Sequence, residues 1–384
     1  MKNQATLLSE NHNAKENTLF LAMELSRKKW KLGFNDGKQM RARIRTIAAR
    51  DFQGLQREIE QAKTHYGLSA SARTLSCYEA GREGFWVHRA LTEKAIDNVI
   101  VDAASIDIKR RKRAKTDRID AESLAGKLVR YHGGEVSVWS VVRVPSLEAE
   151  AARQLHRDIG VLQRERQQHR VRIQSLLFTQ GIDVAVTPKL LRDLAEIRCW
   201  NGERLPAELQ ERIRREYARL RAVEQDLLVL RKQQNTRLKN EPTAAMEKIR
   251  LLQQLCGIAM KSSWVFVMEL FGWRQFRNRR EVASALGLTP MPYQSGDSAR
   301  DQGISRAGNR RVRAMAIEIA WSWLRYQPQS QLSQWYQQRF GGGGPRIRRI
   351  GIVAMARRLM IDLWRYVESG ILPPGARMKT SVSR

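Results

Sequence analysis

Between residues 18 and 102 the chain sets three strand-patterned runs back to back and then alternates helix and strand, an order that few sheets can absorb. Thr18–Leu25 (TLFLAMEL) and Trp30–Phe34 (WKLGF) read as two strands of a hairpin, and Arg43–Ala49 (RIRTIAA) alternates as a third. Asp51 stands as the cap of a helix reaching about Tyr66, with Leu55, Ile59 and Ala62 on one face. Arg73–Glu79 (RTLSCYE) is a fourth strand, Phe85–Lys94 a helix, and Asn98–Asp102 (NVIVD) a fifth strand. A further helix opens near Asp117. This order predicts an antiparallel trio extended by parallel strands, with helices packed on the faces.

That arrangement matches the ribonuclease-H/RuvC-like topology, in which acids at neighbouring strand ends can converge with acids on the last helix. Glu24 ends the first strand and Glu79 the fourth. In Lys115–Ala125 (KTDRIDAESLA), Asp117 and Asp120 share one helical face at i, i+3 spacing, above a buried stripe of Leu124 and Leu128. Asp102, at another strand end, is a reserve candidate. Taken singly, each acid also reads as a helix cap or a solvated strand end. Taken together, four clustered carboxylates repel unless a cation neutralises them, which points to one or two Mg²⁺ ions. Such a site stabilises the attacking and leaving oxygens of phosphodiester chemistry. The run just before it, Lys109, Arg110, Arg111, Lys112, Arg113 and Lys115, suits phosphate.

Charge narrows the partner. The 384 residues carry 69 Lys+Arg against 39 Asp+Glu, a formal net charge of +30. An excess of that size predicts a polyanionic partner, with nucleic acid first. A membrane is disfavoured, because the longest apolar run, near Ala314–Leu324, is broken by Glu318 and too short to span a bilayer. Cys77, Cys199 and Cys256 are scattered, with neither disulfide nor zinc spacing. With no signal-peptide core, the reading is a cytosolic protein.

After a short link at 137–146, residues 147–180 are helical and charged, with Leu155, Ile159, Leu162, Ile173 and Leu176 near heptad spacing. A second tract carries Leu209, Ile213, Tyr217, Leu220, Val223, Leu227 and Leu230. The pair predicts an antiparallel or dimerising coiled coil. From about Met246 come short helices, at Leu251–Gly257, Ser262–Phe271 and Glu281–Leu286. Gly287–Gly308 then reads as an irregular loop, since its glycines and prolines disfavour a regular element. Ser295 lies in it, ringed by Arg300, Arg306, Arg310, Arg311 and Arg313. A serine hydroxyl is a poor nucleophile without activation, and arginines can stabilise the charge that builds on phosphorus. Asn309–Arg325 is a long helix whose Trp321 and Trp323 read as core, and a basic helix follows at Ile347–Val367.

Across nearly its whole length the chain resembles the bridge-RNA-guided transposases of bacterial insertion-sequence family 110. The resemblance rests on AMELS around Glu24, CYEAGREGFW around Glu79, KTDRIDAESLA with Asp117 and Asp120, GLTPMPYQSG with Ser295, and ISRAGNRRVR at Ile304–Arg313. It implies a RuvC-like domain over 18–145 with a metal-binding D-E-D-D set, a helical coiled-coil region over 146–245, and a mostly α-helical serine transposase domain over 246–372. The ends, 1–17 and 373–384, are expected to be flexible. One departure stands out: the first acid, aspartate in the family, is Glu24 here. Either the backbone compensates for the extra methylene or the site is weakened.

The resemblance further implies an enzyme that recombines donor and target DNA in the bacterial cytoplasm, associated with the nucleoid. An element-encoded RNA would supply sequence recognition, leaving the protein to grip backbone and shape. Ser295 would be the nucleophile and Mg²⁺ the cofactor. A composite site shared between subunits would make the protein a dimer or tetramer. Two other readings compete. One is a RuvC-type metal-dependent junction nuclease in which Ser295 is structural. The other is a nucleic-acid-binding protein whose acid set has decayed at Glu24.

Overall fold

The computed structural model describes residues 17–106, 117–295 and 298–379, with backbone alone at 104, 117–118, 292–295 and 298–302. The polar N-terminal residues before 17, the basic run Lys109–Lys115 and the residues after 379 lie outside that set. The chain divides into two compact units, Met1–Val144 and Pro145–Arg384.

The first unit follows the predicted element order: β1 (Thr18–Leu25), β2 (Lys29–Asn35), β3 (Arg43–Ala48), α1 (Phe52–His65), β4 (Arg73–Glu79), α2 (Trp86–Glu93), β5 (Asp97–Val101) and α3 (Asp117–His132). The five strands form one sheet in the order β3-β2-β1-β4-β5. β1 pairs antiparallel with β2 and parallel with β4, which in turn pairs parallel with β5. Asp51 caps α1 as expected, its Oδ1 accepting from Gly54 N at 2.7 Å.

Strand alternation divides the side chains of this sheet between two cores. Leu19, Leu21, Met23, Trp30 and Tyr78 pack with Leu55, Ile59, Val87 and Leu91 of α1 and α2. Phe20, Ala22, Cys77 and Val101 pack with Leu124, Ala125 and Leu128 of α3. The stretch after 137, expected to be a plain link, does more than connect. Val141 bridges Val101 in antiparallel sense, Val142 N donates to Ile100 O at 2.7 Å, and Val138 and Trp139 are buried in the α3 core. This cover satisfies backbone groups that the outer strand β5 would otherwise expose.

The second unit comprises α4 (Leu147–Ala151), α5 (Gln154–Phe178), α6 (Leu190–Asp193), α7 (Ala207–Asn240), α8 (Ala244–Gln253), α9 (Met260–Phe266), α10 (Arg279–Leu286), β6 (Pro290–Ser295), β7 (Ser298–Ile304), α11 (Arg310–Tyr326), α12 (Gln331–Tyr336) and α13 (Pro345–Ser369). α5 and α7 lie antiparallel: Ile173 and Leu177 share a core with Ile213 and Tyr217, while Leu155 and Ile159 share another with Leu227. That second core also holds Trp264, Phe271, Trp323 and Leu363, so α5 and α7 form a helical arm whose base is built into the terminal helices. A π turn, Val267–Phe271, continues α9, and another, Gln337–Gly341, continues α12.

Three expectations change here. Gly287–Gly308 is not irregular, because it forms the antiparallel hairpin β6/β7. A two-stranded ribbon tolerates proline, whose missing N–H can face away from the partner, and the register shifts between Pro290 and Pro292. Trp323 is fully buried but Trp321 is 46% exposed, since residues two apart on a helix point to nearly opposite sides. The tail from Pro373, expected to be loose, is docked as far as Lys379. Cys256 N donates to Arg377 O at 3.0 Å, and Lys379 Nζ donates to Ile258 O at 2.7 Å.

Candidate active site

Register brings two of the predicted acids together. β1 and β4 are parallel, and their last paired positions are Met23 and Tyr78. Glu24 and Glu79 are the next residue on each strand, and neighbouring strands run about 4.8 Å apart. Both continue the alternating set that faces α3, after Phe20 and Ala22 on β1 and after Leu75 and Cys77 on β4. Glu24 is half-buried and Glu79 exposed. Lys31 of β2 stands opposite Glu24 and gives the cluster a cation that the sequence reading passed over.

The direction of α3 settles where its acids go. His132, at the end of the helix, lies edge-on to Phe20 near the start of β1, with ring centroids 5.4 Å apart. Ala121, in the second turn, lies over Gly33, which pairs with Ala22 further along β1. α3 therefore runs against β1, and its N-terminal turn with Asp117 and Asp120 lies toward the edge where β1 and β4 end. Asp120 is half-buried; the Asp117 side chain is not among those described. Asp102 follows β5 and turns into the cover segment, its N donating to Ser140 O at 2.9 Å.

Carboxylate oxygens are the hard donors that Mg²⁺ selects, so the donor chemistry at this edge fits the ion that the acid pattern implies. Among the described residues, no group of three or more His, Cys, Asp or Glu is close enough to hold a metal. Glu24, Glu79 and Asp120 are all described, so the structure places the Asp120 carboxylate on the same side of the sheet without closing a three-acid group around the pair. The basic run Lys109, Arg110, Arg111, Lys112, Arg113 and Lys115 lies outside the described residues.

Ser295 belongs to the second unit. It is the last residue of β6 and pairs with Ser298 across Gly296 and Asp297. Arg300 pairs with Tyr293; the side chains of Ser295 and Arg300 are not among those described. Of the other arginines, Arg306, Arg310 and Arg311 are exposed. Arg313 differs, because its Nη1 donates to Leu286 O at 3.1 Å and to Arg306 O at 3.0 Å. Burial, then the neighbouring charges of Arg306 and Arg310, lower its pKa. Arg313 therefore pins the hairpin base rather than offering its guanidinium to a ligand.

Sequence reasoning missed a polar knot below that base. Glu269, in the π turn, has a fully buried side chain. Its Oε1 accepts from Arg157 Nε at 2.8 Å and meets His156 Nε2 at 3.0 Å. Its Oε2 accepts from Arg157 Nη2 at 2.9 Å and Asn309 Nδ2 at 2.9 Å. Burial alone would raise the Glu269 pKa, but these hydrogen bonds outweigh it and hold the carboxyl well below the usual range. The one signal was an acid inside the apolar run Trp264–Phe271.

Comparison with known proteins identifies the family. Residues 249–336, which hold the π turn, the hairpin and α11, match the family described as Transposase IS116/IS110/IS902. The chain is similar to y4rJ of Sinorhizobium fredii, assigned as a transposase, at 37% identity over 382 residues, 94% of this chain and 95% of that one. It is also similar to y4qE of the same organism, assigned likewise, at 27% identity over 279 residues (72% and 63%). The transposase for insertion sequence element IS1533 of Leptospira borgpetersenii is 24% identical over 296 residues (75% and 79%). With near-complete coverage of a relative at 37% identity, the chain belongs to the IS116/IS110/IS902 family of insertion-sequence transposases.

Proposed function

We propose that this transposase moves its element by serine-mediated recombination between donor and target DNA, guided by an element-encoded RNA. Ser295 Oγ loses its proton and attacks a DNA phosphodiester. A phosphoserine bond forms as the bond from phosphorus to one deoxyribose oxygen breaks, and that oxygen takes up a proton. Attack by the hydroxyl of the exchanged strand reverses the step and frees Ser295. Glu24, Glu79, Asp117 and Asp120 would hold Mg²⁺, which when bound supplies charge stabilisation for the attacking and leaving oxygens. Arg306, Arg310 and Arg311 grip phosphates, and guide pairing supplies the sequence reading. The acid set and Ser295 belong to separate units, so a composite site between two or more copies suits the chemistry.

The observation that carries this reading is that Glu24 and Glu79 each follow the last β1–β4 pair, Met23 with Tyr78, on the face that α3 covers. Two carboxylates on adjacent parallel strands beside an acid-bearing helix form an arrangement that a divalent cation stabilises. The same observation favours a second reading, a metal-dependent nuclease in which Ser295 is structural.

A covalent-capture assay separates the two. Protein, Mg²⁺, labelled donor and target DNA, and RNA transcribed from the element's flanks are mixed beside a Ser295→Ala control. The expected result is a denaturation-resistant protein–DNA adduct that the control lacks. Clean Mg²⁺-dependent cuts without an adduct would replace serine recombination with hydrolysis. Retention of the adduct in Ser295→Ala would remove Ser295 from its role.

A further inference from the structure

We propose that Glu269 is a positioning residue that ties the base of the helical arm to the hairpin carrying Ser295. The proposal rests on the serine reading above for what the hairpin does, but not for the tie itself.

A buried carboxylate is costly, and replacing such a group with apolar side chains is often neutral or stabilising. Glu269 is nonetheless buried to 1% exposure and presented by a π turn, a feature frequent at functional sites. What a buried charge offers that an apolar side chain cannot is direction. Its donors come from two separate places: His156 and Arg157 from the first turn of α5, and Asn309 from the entry to α11.

Asn309 is doubly committed. Its Oδ1 caps α11, accepting from Arg311 N at 2.9 Å and Val312 N at 3.2 Å, while Nδ2 reaches Glu269. The residues just before it close the hairpin. Ser305 N donates to Thr289 O at 2.9 Å, Arg306 N to Gly287 O at 3.1 Å, and Asn309 N to Ala285 O at 2.9 Å. The packing there leaves no slack. A Cβ on Gly308 would lie 2.5 Å from Ala285 O, and one on Gly287 would lie 2.0 Å from Ala307 O. Both glycines also have positive φ, 112° and 65°. Both strands of the hairpin thus spring from one pinch, and the side chain that anchors the pinch to the arm is Asn309, through Glu269. A shift at the start of α5 reaches the hairpin through two hydrogen-bonded links.

Reversing the polarity of the tie tests it. Asn309→Asp keeps oxygens that cap a helix as well as asparagine does, but sets a carboxylate against that of Glu269. Glu269→Gln combined with Asn309→Asp restores one donor and one acceptor, and the glutamine side chain so introduced keeps an oxygen for His156 and Arg157. Hydrogen exchange is measured on full-length protein without DNA, and adduct formation at Ser295 is measured in parallel.

In Asn309→Asp, amides of β6 and β7 should exchange about tenfold faster than in the wild type, with protection across α13 unchanged. Adduct formation should slow by up to about a hundredfold at unaltered DNA affinity, the scale of a misplaced reacting group. The double variant should recover both. Unchanged hairpin exchange in Asn309→Asp, or a general loss of protection that the double variant does not recover, overturns the tie. Hairpin exchange that responds as expected while the wild type forms no adduct upholds the tie and removes the serine reading instead.

Discussion

Glu24 and Glu79 lie side by side: each follows the last paired residue of its strand, Met23 or Tyr78, and each continues the set of side chains turned toward α3. Lys31, opposite Glu24, offsets part of this negative charge, and a divalent cation between the two carboxylates would offset more.

Divalent metal should therefore stabilise the wild type. Mg²⁺ at about ten times its Kd contributes about 1.4 kcal/mol, visible as a rise of a few degrees in unfolding temperature over protein in chelator. Glu79→Gln removes one of the proposed charged ligands and should abolish most of that rise while leaving the fold intact. An equal rise in both proteins would place the ion elsewhere.

Gly33 lets α3 approach the sheet. A Cβ there would meet Ala121 O at 2.9 Å and Ala121 C at 3.3 Å, both backbone atoms that cannot swing aside. Gly33→Ala should cost about 1–3 kcal/mol through overpacking, and it should weaken the Mg²⁺ response by displacing the turn that bears Asp120. Gly126 of α3 is the control, since nothing lies within 4 Å of its added Cβ. Gly126→Ala should stabilise by up to about 1 kcal/mol through helix propensity. Denaturant melts of the two variants, with and without metal, check both.

These features differ in how far the sequence discloses them. The short apolar run Thr18–Leu25 and the β-prone run Arg73–Glu79 are local patterns, so the strands, their order and the ends bearing Glu24 and Glu79 were legible. The β6/β7 hairpin was hidden because Pro290 and Pro292 argue against a strand wherever the neighbouring strands are unknown. Trp321 and Trp323 are chemically alike, and only packing shows that one is half-exposed. Glu269 carries no periodic signal, and its partners lie 113 residues away at His156 and 40 at Asn309. A site assembled from such separations becomes visible only once the chain is folded.

The arginines around the hairpin should divide by their hydrogen bonds. Arg310 and Arg311 are exposed at the start of α11. Replacing either with glutamine should weaken DNA binding without regard to sequence and flatten the salt dependence by about 0.9 for each phosphate no longer neutralised. Arg313→Gln should leave that slope unchanged, because Arg313 donates to Leu286 O and Arg306 O, and it should instead loosen the hairpin. Binding isotherms across a salt series distinguish the two classes.

Glu269 also sets an acid limit on stability. Its folded pKa lies below the unfolded value near 4.5, because the hydrogen bonds from His156, Arg157 and Asn309 outweigh the effect of burial. Below that pH the unfolded chain takes up a proton at this position while the folded chain does not, so the unfolded state binds more protons and stability falls with pH. The contribution is complete above about pH 5 and is lost progressively as pH falls toward the folded pKa. Glu216 adds to the same slope, since the bonds from His169 and Arg172 outweigh burial there too and lower its pKa. Glu269→Gln cannot titrate, so it should be less stable than the wild type at pH 7 and lose less stability between pH 5 and pH 3. Urea midpoints taken across that range check the sign: curves that converge toward acid assign the slope to Glu269, whereas parallel curves assign it to other carboxylates.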